Sequence, residues 1–368
     1  MSVRRVVSGV LALAVLTGIG LGAASTAEAK PKLKVMTQNL YLGASLTPAM
    51  QATTGAGFLT AVDQIWYGVL LTDFNIRAKA IADEIKAKQP DIIGLQEVTN
   101  WTSINSLIDG TPIPQYDFYT ILNTELKARG LNYKKVGTSK NASINAPYDP
   151  ELQNPKYEVP TYGCVGYTSC SITLNDRDMI LVNANTSGLK TKKAVSGHFK
   201  KQQELPLPTD PVTYESFMRG WVYSDMTYKG KKFRFLNTHL ETEDFPKVQV
   251  AQAKELLAGP ADYNGTMITT GDFNSSAAGD VTKTYGILTK SWFKDSWNST
   301  RDGAGLSCCQ NEYLSNGVSE LKTRIDLVLT HGKASGTGAT LIGNEMFSMT
   351  TPMWPSDHAG VVSTITLK

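Results

Sequence analysis

Long apolar runs that stop abruptly on polar residues set the pattern of this chain. "LKVMTQNL" (33–40) reads as a buried strand that ends on Gln38 and Asn39. A strand covered on both faces loses polar alternation and becomes a near-continuous apolar run. "DIIGLQEV" (91–98) repeats the pattern and ends on Gln96 and Glu97. "DMILVNA" (178–184), "TMITTGDF" (266–273), "RIDLVLTHG" (324–332) and "AGVVSTITL" (359–367) predict further strands, with a short one at "YKKVGTS" (133–139). "GWVYSDMTYKGKKFRFLNTHL" (220–240) predicts a hairpin that turns at "KGKK" and whose second strand runs to His239.

Helical periodicity separates these strands. In "NIRAKAIADEIKAKQP" (75–90) Ile81 and Ile85 share one face and Pro90 stops the helix. "YTILNTELKARG" (119–130) is closed by Gly130, and "VQVAQAKELLAG" (248–259) predicts a third helix. The segment 141–176, rich in Asn, Pro, Tyr, Gly and Ser, reads as a surface loop or insertion. Strands and helices alternate with hairpins among them, which favours packed sheets with helices outside over a parallel barrel. Each half holds a strand, a helix and a strand that ends on an acid, "DIIGLQEV" and then "MITTGDFN", as an internal duplication would.

The first residues change the picture of where the chain works. "MSVRR", then "VVSGVLALAVLTGIGLGAA", then "AEA" at 27–29 form the basic, apolar and small-residue regions of a secretory signal peptide. Residues 1–29 are therefore expected to be removed, leaving an exported domain over 30–368. Loss of Arg4, Arg5 and Glu28 moves the formal charge from +3 to +2. That balance neither demands nor excludes a nucleic-acid partner. Four cysteines, Cys164, Cys170, Cys308 and Cys309, suggest disulfides in an exported protein, with three pairings open.

The candidate chemistry lies at the strand ends. Apolar strands terminate on Asn39, on Glu97, on His239, on Asp272 with Asn274, and on Ser356–Asp357–His358, while Asp326 interrupts "RIDLVL". Alternation along a strand would point Asp272 and Asn274 to the same side. Each of these has a local explanation as a turn former or cap, and Asp326 has Arg324 two residues away as a partner. Together they are the residue types that hold a hard divalent cation and move protons near neutral pH. His198 and His331 read as surface or structural.

The series "TQNL", "LQEV", "NTHLE", "GDFNS", "RIDLVL" and "PSDHAGV" resembles the endonuclease/exonuclease/phosphatase superfamily over about 33–367. That group includes DNase I-like nucleases, bacterial neutral sphingomyelinases and inositol polyphosphate phosphatases. The resemblance implies a four-layer α/β/β/α sandwich with two packed mixed sheets and a site at one rim. It implies Glu97 and Asn39 as ligands of Mg2+, with Mn2+ or Ca2+ as substitutes, and Asp357 on the metal side. It implies Asp272 as the residue that orients or deprotonates water, Asn274 as a phosphate ligand, and His358 held by Asp326. His239 places the chain with the two-histidine members, as a second acid or base oriented by Asp176 or Asp178. Arg219 matches an arginine that reaches the substrate phosphate.

The resemblance implies cleavage of a phosphoric ester, with a nucleic acid slightly favoured and a phospholipid as the alternative. The lipid reading rests on Met346, Phe347, Met349, Met353 and Trp354, which would form an apolar lip beside His358 if exposed and read equally as core of the neighbouring strand. A binding module without catalysis is disfavoured because no key residue is missing.

Overall fold

The computed structural model describes residues 29–105, 112–147, 170–207, 210–300, 303–348 and 351–368. The expected signal peptide and the middle of the expected insertion lie outside these. Pro31–Lys368 forms one compact unit.

The elements run β1 (Lys32–Asn39), α1 (Thr47–Gln51), α2 (Gly55–Leu71), α3 (Phe74–Lys88) and β2 (Ile92–Gln96). Next come β3 (Asn100–Asn105), β4 (Pro112–Asp117), α4 (Phe118–Ala128), β5 (Tyr133–Pro147) and β6 (Cys170–Asn183). The middle holds β7 (Leu189–Thr191), β8 (Val195–His198), β9 (Gln203–Leu207), β10 (Asp210–Phe217), β11 (Gly220–Tyr228) and β12 (Lys231–His239). The remainder is α5 (Pro246–Ala258), β13 (Met267–Asp272), α6 (Thr284–Ser291), β14 (Lys294–Asp295), β15 (Asp326–His331), β16 (Ala334–Ile342) and β17 (Gly360–Leu367).

Two mixed sheets carry the fold. The first has the order β16-β17-β1-β2-β6-β3-β4, with β5 also on β6. The second has the order β14-β15-β13-β12-β11-β7, with β8 also on β11. Val35, Ile92, Ile180 and Ile365 of the first sheet meet Val222, Phe233, Phe235 and Ile268 of the second in a shared core. The outer face of the first sheet is covered by Trp66, Phe74, Ile81 and Leu122 from α2, α3 and α4. The second is covered by Ala253, Leu256 and Leu288 from α5 and α6. The result is the four-layer sandwich expected from the sequence.

The suspected duplication has a structural counterpart. In the first half β1 pairs parallel with β2, with Asn39 opposite Gln96; in the second β12 pairs parallel with β13, with His239 opposite Asp272. Parallel neighbours need a crossover, supplied by a path through α3 in one half and α5 in the other. The strands abut so closely at Gly94 that an added Cβ would lie 2.2 Å from Thr270 Oγ1.

Two features differ from the sequence reading, and a third falls between its two alternatives. Both ends of segment 141–176 are strand: β5 continues to Pro147 and β6 begins at Cys170. Their residues are too polar to signal a strand, yet long pairing holds them. Helix α2 was not expected, because Gly55, Gly57 and Gly68 interrupt a segment whose apolar residues face several directions. Of the apolar lip, Trp354 is core, and Met346 and Met353 are half-buried. Trp354 is buried with Tyr41 and Leu314, its indole donates to Asn316 O at 2.8 Å, and Met346 packs against them. Phe347 is exposed, and Met349 lies outside the described residues.

Candidate active site

The polar strand ends converge at one rim of the sandwich. Strand β1 delivers Asn39, and the turn after β2 delivers Glu97; β12 ends at His239 and β13 at Asp272. Asp326 opens β15, and His358 precedes β17. Tyr41, Glu97 and Asn274 have φ of 58°, 54° and 48°. A left-handed conformation costs a non-glycine residue on the order of 1 kcal/mol. At these three positions it turns the chain sharply out of, or just beyond, a strand. Asn274 therefore does not reach the site by strand alternation. The strand stops at Asp272, Asn274 N donates to Asp272 Oδ1 at 2.8 Å, and the left-handed turn brings Asn274 Nδ2 to 3.1 Å from His239 Nε2.

His358 and His239 flank one carboxylate. His358 Nδ1 lies 2.8 Å from Asp326 Oδ2, and its Nε2 lies 3.8 Å from Asp272 Oδ2 and 3.9 Å from Asp357 Oδ1. Asp326, Asp357 and Asp272 together hold the imidazole well above its ordinary pKa, against the effect of burial. His239 Nε2 lies 3.4 Å from the same Asp272 oxygen. Burial and the neighbouring Arg219 guanidinium push this imidazole well below its ordinary pKa. Arg219 Nη1 and Asn274 Nδ2 both meet Nε2, at 3.0 and 3.1 Å. Arg219 Nη1 also lies 3.1 Å from Nδ1, so donors meet the ring at both nitrogens, as a neutral imidazole allows. Nδ1 faces Asp178 Oδ1 at 4.0 Å. Of the two acids open in the sequence, Asp178 is the one beside His239, while Asp176 lines the cleft.

Two asparagines organise the carboxylates. Asn39 Nδ2 donates to Glu97 Oε1 at 3.2 Å and to Asp272 Oδ2 at 3.1 Å, while its oxygen accepts from Tyr41 N. The amide nitrogen, not the oxygen expected as a metal ligand, faces the acids. Asn141 Nδ2 donates to Asp176 Oδ2 at 3.1 Å and to Asp178 Oδ2 at 2.9 Å. Sequence reasoning missed Asn141, since it sits in a stretch that reads as loop. Arg77 was also missed. It is buried on α3 and donates to Leu40 O, Tyr41 O, Thr72 O and Pro355 O at 2.6–3.0 Å. One guanidinium thus ties the loop after Asn39 to the loop before Asp357. Its signal was an arginine four residues before Ile81, on the apolar face of its helix.

The cleft encloses about 630 Å³. Glu97, Asp176, Glu241, Asp244, Glu312 and Asp357 line it, with Arg219 the single cation of its wall among the described residues. Leu42, Leu46, Met50 and Phe245 add an apolar wall. Burial raises the carboxyls of Glu97, Asp176 and Asp178, that of Asp357 to about 7 and that of Asp272 to about 6. Asp176 Oδ1, Asp178 Oδ1 and Glu241 Oε2 are buried without a hydrogen-bond partner. Oxygen donors in such surplus fit a hard divalent cation. Among the described residues Asp272, Asp326 and His358 bring metal-type ligand atoms within 4.8 Å of one another; Cys308 and Cys309 also adjoin His358, but their disulfide leaves no thiolate for a metal. Glu97 and Asp357, the ligands expected from the sequence, share the cleft without joining either group.

Arg219 lies 3.7 Å from Glu241 and against His239. Arg324 pairs with Asp295 at 2.5 Å, which leaves Asp326 to His358. Cys308 is bonded to Cys309, and Cys309 Sγ lies 3.8 Å from His358 Nε2; Cys170 is also in a disulfide. His198 contacts Lys140 O, and His331 stacks on Trp292, both away from the cleft as expected.

Two packed mixed sheets with paired carboxylates, two histidines and an arginine at one rim define a hydrolase of the α/β/β/α sandwich class. Residues 68–358 match the Endonuclease/Exonuclease/phosphatase family, and the chain belongs to that family, whose members hydrolyse phosphoester bonds. No curated protein matches the chain in sequence. Among solved structures it is similar to a family protein from Leptotrichia buccalis, with 15% identity, TM-score 0.54 and coverage of 91% of this chain and 100% of the other. A Bacteroides vulgatus family protein gives 13%, 0.52, 92% and 100%. D. rerio TDP2 complexed with a single-strand DNA product gives 15%, 0.52, 91% and 99%.

Proposed function

We propose that the chain is an exported, divalent-metal-dependent phosphodiesterase and that its substrate is a nucleic acid. The observation that carries the reading is the pair of histidines on one oxygen of Asp272, at 3.4 and 3.8 Å. The surroundings drive the His358 imidazole up and the His239 imidazole down, which makes His358 the acid and leaves His239 neutral beside the base Asp272. A similar fold in TDP2, whose solved complex holds a single-strand DNA product, agrees with the choice of substrate.

The residues divide the work. Asp272 is aligned by Asn39 and by Asn274 N, and takes the proton of the attacking water. The His358 imidazolium, fixed through Nδ1 by Asp326, presents Nε2–H to a phosphate oxygen and donates its proton to the leaving oxygen. Neutral His239 accepts at Nε2, where Asn274 and Arg219 bring donors that turn toward a non-bridging oxygen. Glu97 and Asp357 are the acids for a cation, with Mg2+ the first choice and Mn2+ or Ca2+ as substitutes. A bound cation would polarise a phosphoryl oxygen and neutralise charge that grows on it.

The alternative is a phospholipid phosphodiester. The acids and the Leu42–Leu46–Met50–Phe245 wall of the cleft suit a lipid with a cationic headgroup. Purified protein from Lys30 onward should nick supercoiled DNA or degrade RNA in Mg2+ and lose that activity in EDTA. Phosphocholine release from sphingomyelin or phosphatidylcholine vesicles without nicking would replace the nucleic-acid reading with the lipid one.

A further inference from the structure

We propose that a second pocket beside the catalytic cleft binds the phosphate adjacent to the scissile one in a polynucleotide. This deepens the nucleic-acid reading and rests on it. The pocket encloses about 400 Å³ and is lined by Asn100, Lys140, Ser143, Asn175 and Arg177. It continues from the cleft in two places. Asp176 lines both, and Met218, on its wall, precedes Arg219 on the wall of the cleft.

A β-bulge builds it. Lys140 pairs with Arg177 and Ser143 with Asn175, so β5 carries one extra residue over this span. Bulges bend a strand and re-aim side chains. Here Asn141 turns inward, onto Asp176 and Asp178, while Lys140 is left at the surface beside β6.

The donors of this pocket are largely unspent. Ser143 Oγ donates to Asn175 Oδ1, which leaves the Asn175 amide nitrogen. Among the described residues, Lys140 Nζ has no ion pair and the Asn100 side chain makes no hydrogen bond; Asn100 Oδ1 is a buried acceptor without a partner. Arg177 is anchored to Val98 O, Thr99 O and Asp117, and adds charge. The pocket therefore offers an ammonium, two amide NH2 groups and a nearby guanidinium. Among the described residues its one acid is Asp176, whose Oδ2 accepts from Asn141 and whose Oδ1 has no hydrogen-bond partner. The catalytic cleft is the opposite, with six acids to one arginine among the described residues. A chain of phosphates that enters the cleft with one group meets repulsion there for the next. The donor-rich pocket is the adjoining place where an oxyanion is matched. A phosphocholine lipid, with a single phosphate, has no use for it.

The test compares two substrates and one binding reaction. Bis(p-nitrophenyl) phosphate carries one phosphate; a single-stranded oligonucleotide carries many. Lys140→Ala should leave turnover of the small diester unchanged and raise KM for the oligonucleotide about fivefold, with Lys140→Arg close to wild type. Its log KM against log salt should flatten by about 0.7, the loss of one single-strand phosphate contact. Fluorescence anisotropy with the same oligonucleotide on the His358→Ala background gives the slope without turnover. Equal losses on both substrates would make Lys140 a support of the fold, and an unchanged salt slope would remove the subsite. If the wild-type protein hydrolyses the small diester but neither cleaves nor binds the oligonucleotide, the phosphodiesterase chemistry stands and the subsite falls. If it hydrolyses neither but the slope still changes, the subsite stands and the catalytic reading falls.

Discussion

His239 and His358 sit 3.4 and 3.8 Å from one oxygen of Asp272, yet their surroundings drive them to opposite charge states. His358 belongs to the acid side: Asp326 holds one ring nitrogen at 2.8 Å, and Asp357 and Asp272 stand near the other. His239 belongs to the cation side. Arg219 contacts both its ring nitrogens, and its own carboxylate, Asp178, stands off at 4.0 Å. Sequence makes the two histidines look alike, each at a strand end and each with an acid in reach. What separates them is whether the closest charged neighbour is a carboxylate or a guanidinium.

The largest effects should come from removing either ring. His358→Ala and His239→Ala should each lower kcat/KM by ~10²–10⁴-fold, the range for a positioned acid or base. The pH profiles should differ more than the magnitudes. The wild-type rate should fall as pH drops through about 6, where the Asp272 carboxyl takes up its proton, and should fall again well above pH 7 as His358 loses its proton. His358→Ala should keep the acid limb and lose the alkaline one. Identical profile changes in both variants would erase the division of roles.

Next in size are the supporting carboxylates. Asp326→Asn breaks a 2.8 Å contact and leaves His358 without its anchor; about a hundredfold loss is expected, at the low end of the general-acid range. Asp178→Asn alters a 4.0 Å pair and should cost about tenfold. Stability should report the same asymmetry. A raised histidine stabilises the fold below about pH 6.5 and loses that contribution as pH rises through its folded value. A lowered one contributes above about pH 6.5 and loses it as pH falls. Denaturant midpoints across pH 5–9 for His358→Asn and His239→Asn should therefore diverge from wild type at opposite ends.

Arg77 tests whether this division depends on the loops beneath it. Arg77→Met leaves four carbonyls without their donor and should destabilise the protein by about 3 kcal/mol. It should also raise the Mn2+ concentration needed for half-saturation, read by electron paramagnetic resonance, because the loops of Asn39 and Asp357 loosen together. A buried apolar substitution on α4 with equal stability loss, Leu122→Ala, should leave metal binding unchanged.

The strand ends were legible because buried strands advertise themselves. An apolar run such as "MITTGDF" leaves few choices for where its polar end will lie, so Asn39, Glu97, His239, Asp272, Asp326 and His358 all reach one rim. The supporting residues were hidden for a different reason. Asn141 acts through a bulge, and nothing local in "SKNAS" marks one. Arg77 did carry a mark, a cation on the helical face of Ile81 and Ile85, yet a salt bridge or a surface snorkel gives the same pattern. Met346 and Trp354 left two readings open because an apolar run next to a catalytic motif looks the same whether it faces solvent or Tyr41 and Leu314. Periodicity reports that a residue is apolar, and tertiary packing decides what covers it.

Arg219 offers the finest test of the comparison. Its guanidinium lowers the His239 pKa, second only to burial. Arg219→Met keeps much of the side chain's bulk and removes the charge, so burial should still hold the imidazole below its ordinary value, but less far. Imidazole nitrogen chemical shifts across a pH titration should show His239 moving upward in the variant and His358 unmoved. An equal upward move of both rings would mean that Arg219 acts on the rim as a whole. An unmoved His239 would make burial the sole cause of its neutrality, and the contrast between the two histidines would then be one of desolvation against ion pairing rather than of opposite charges.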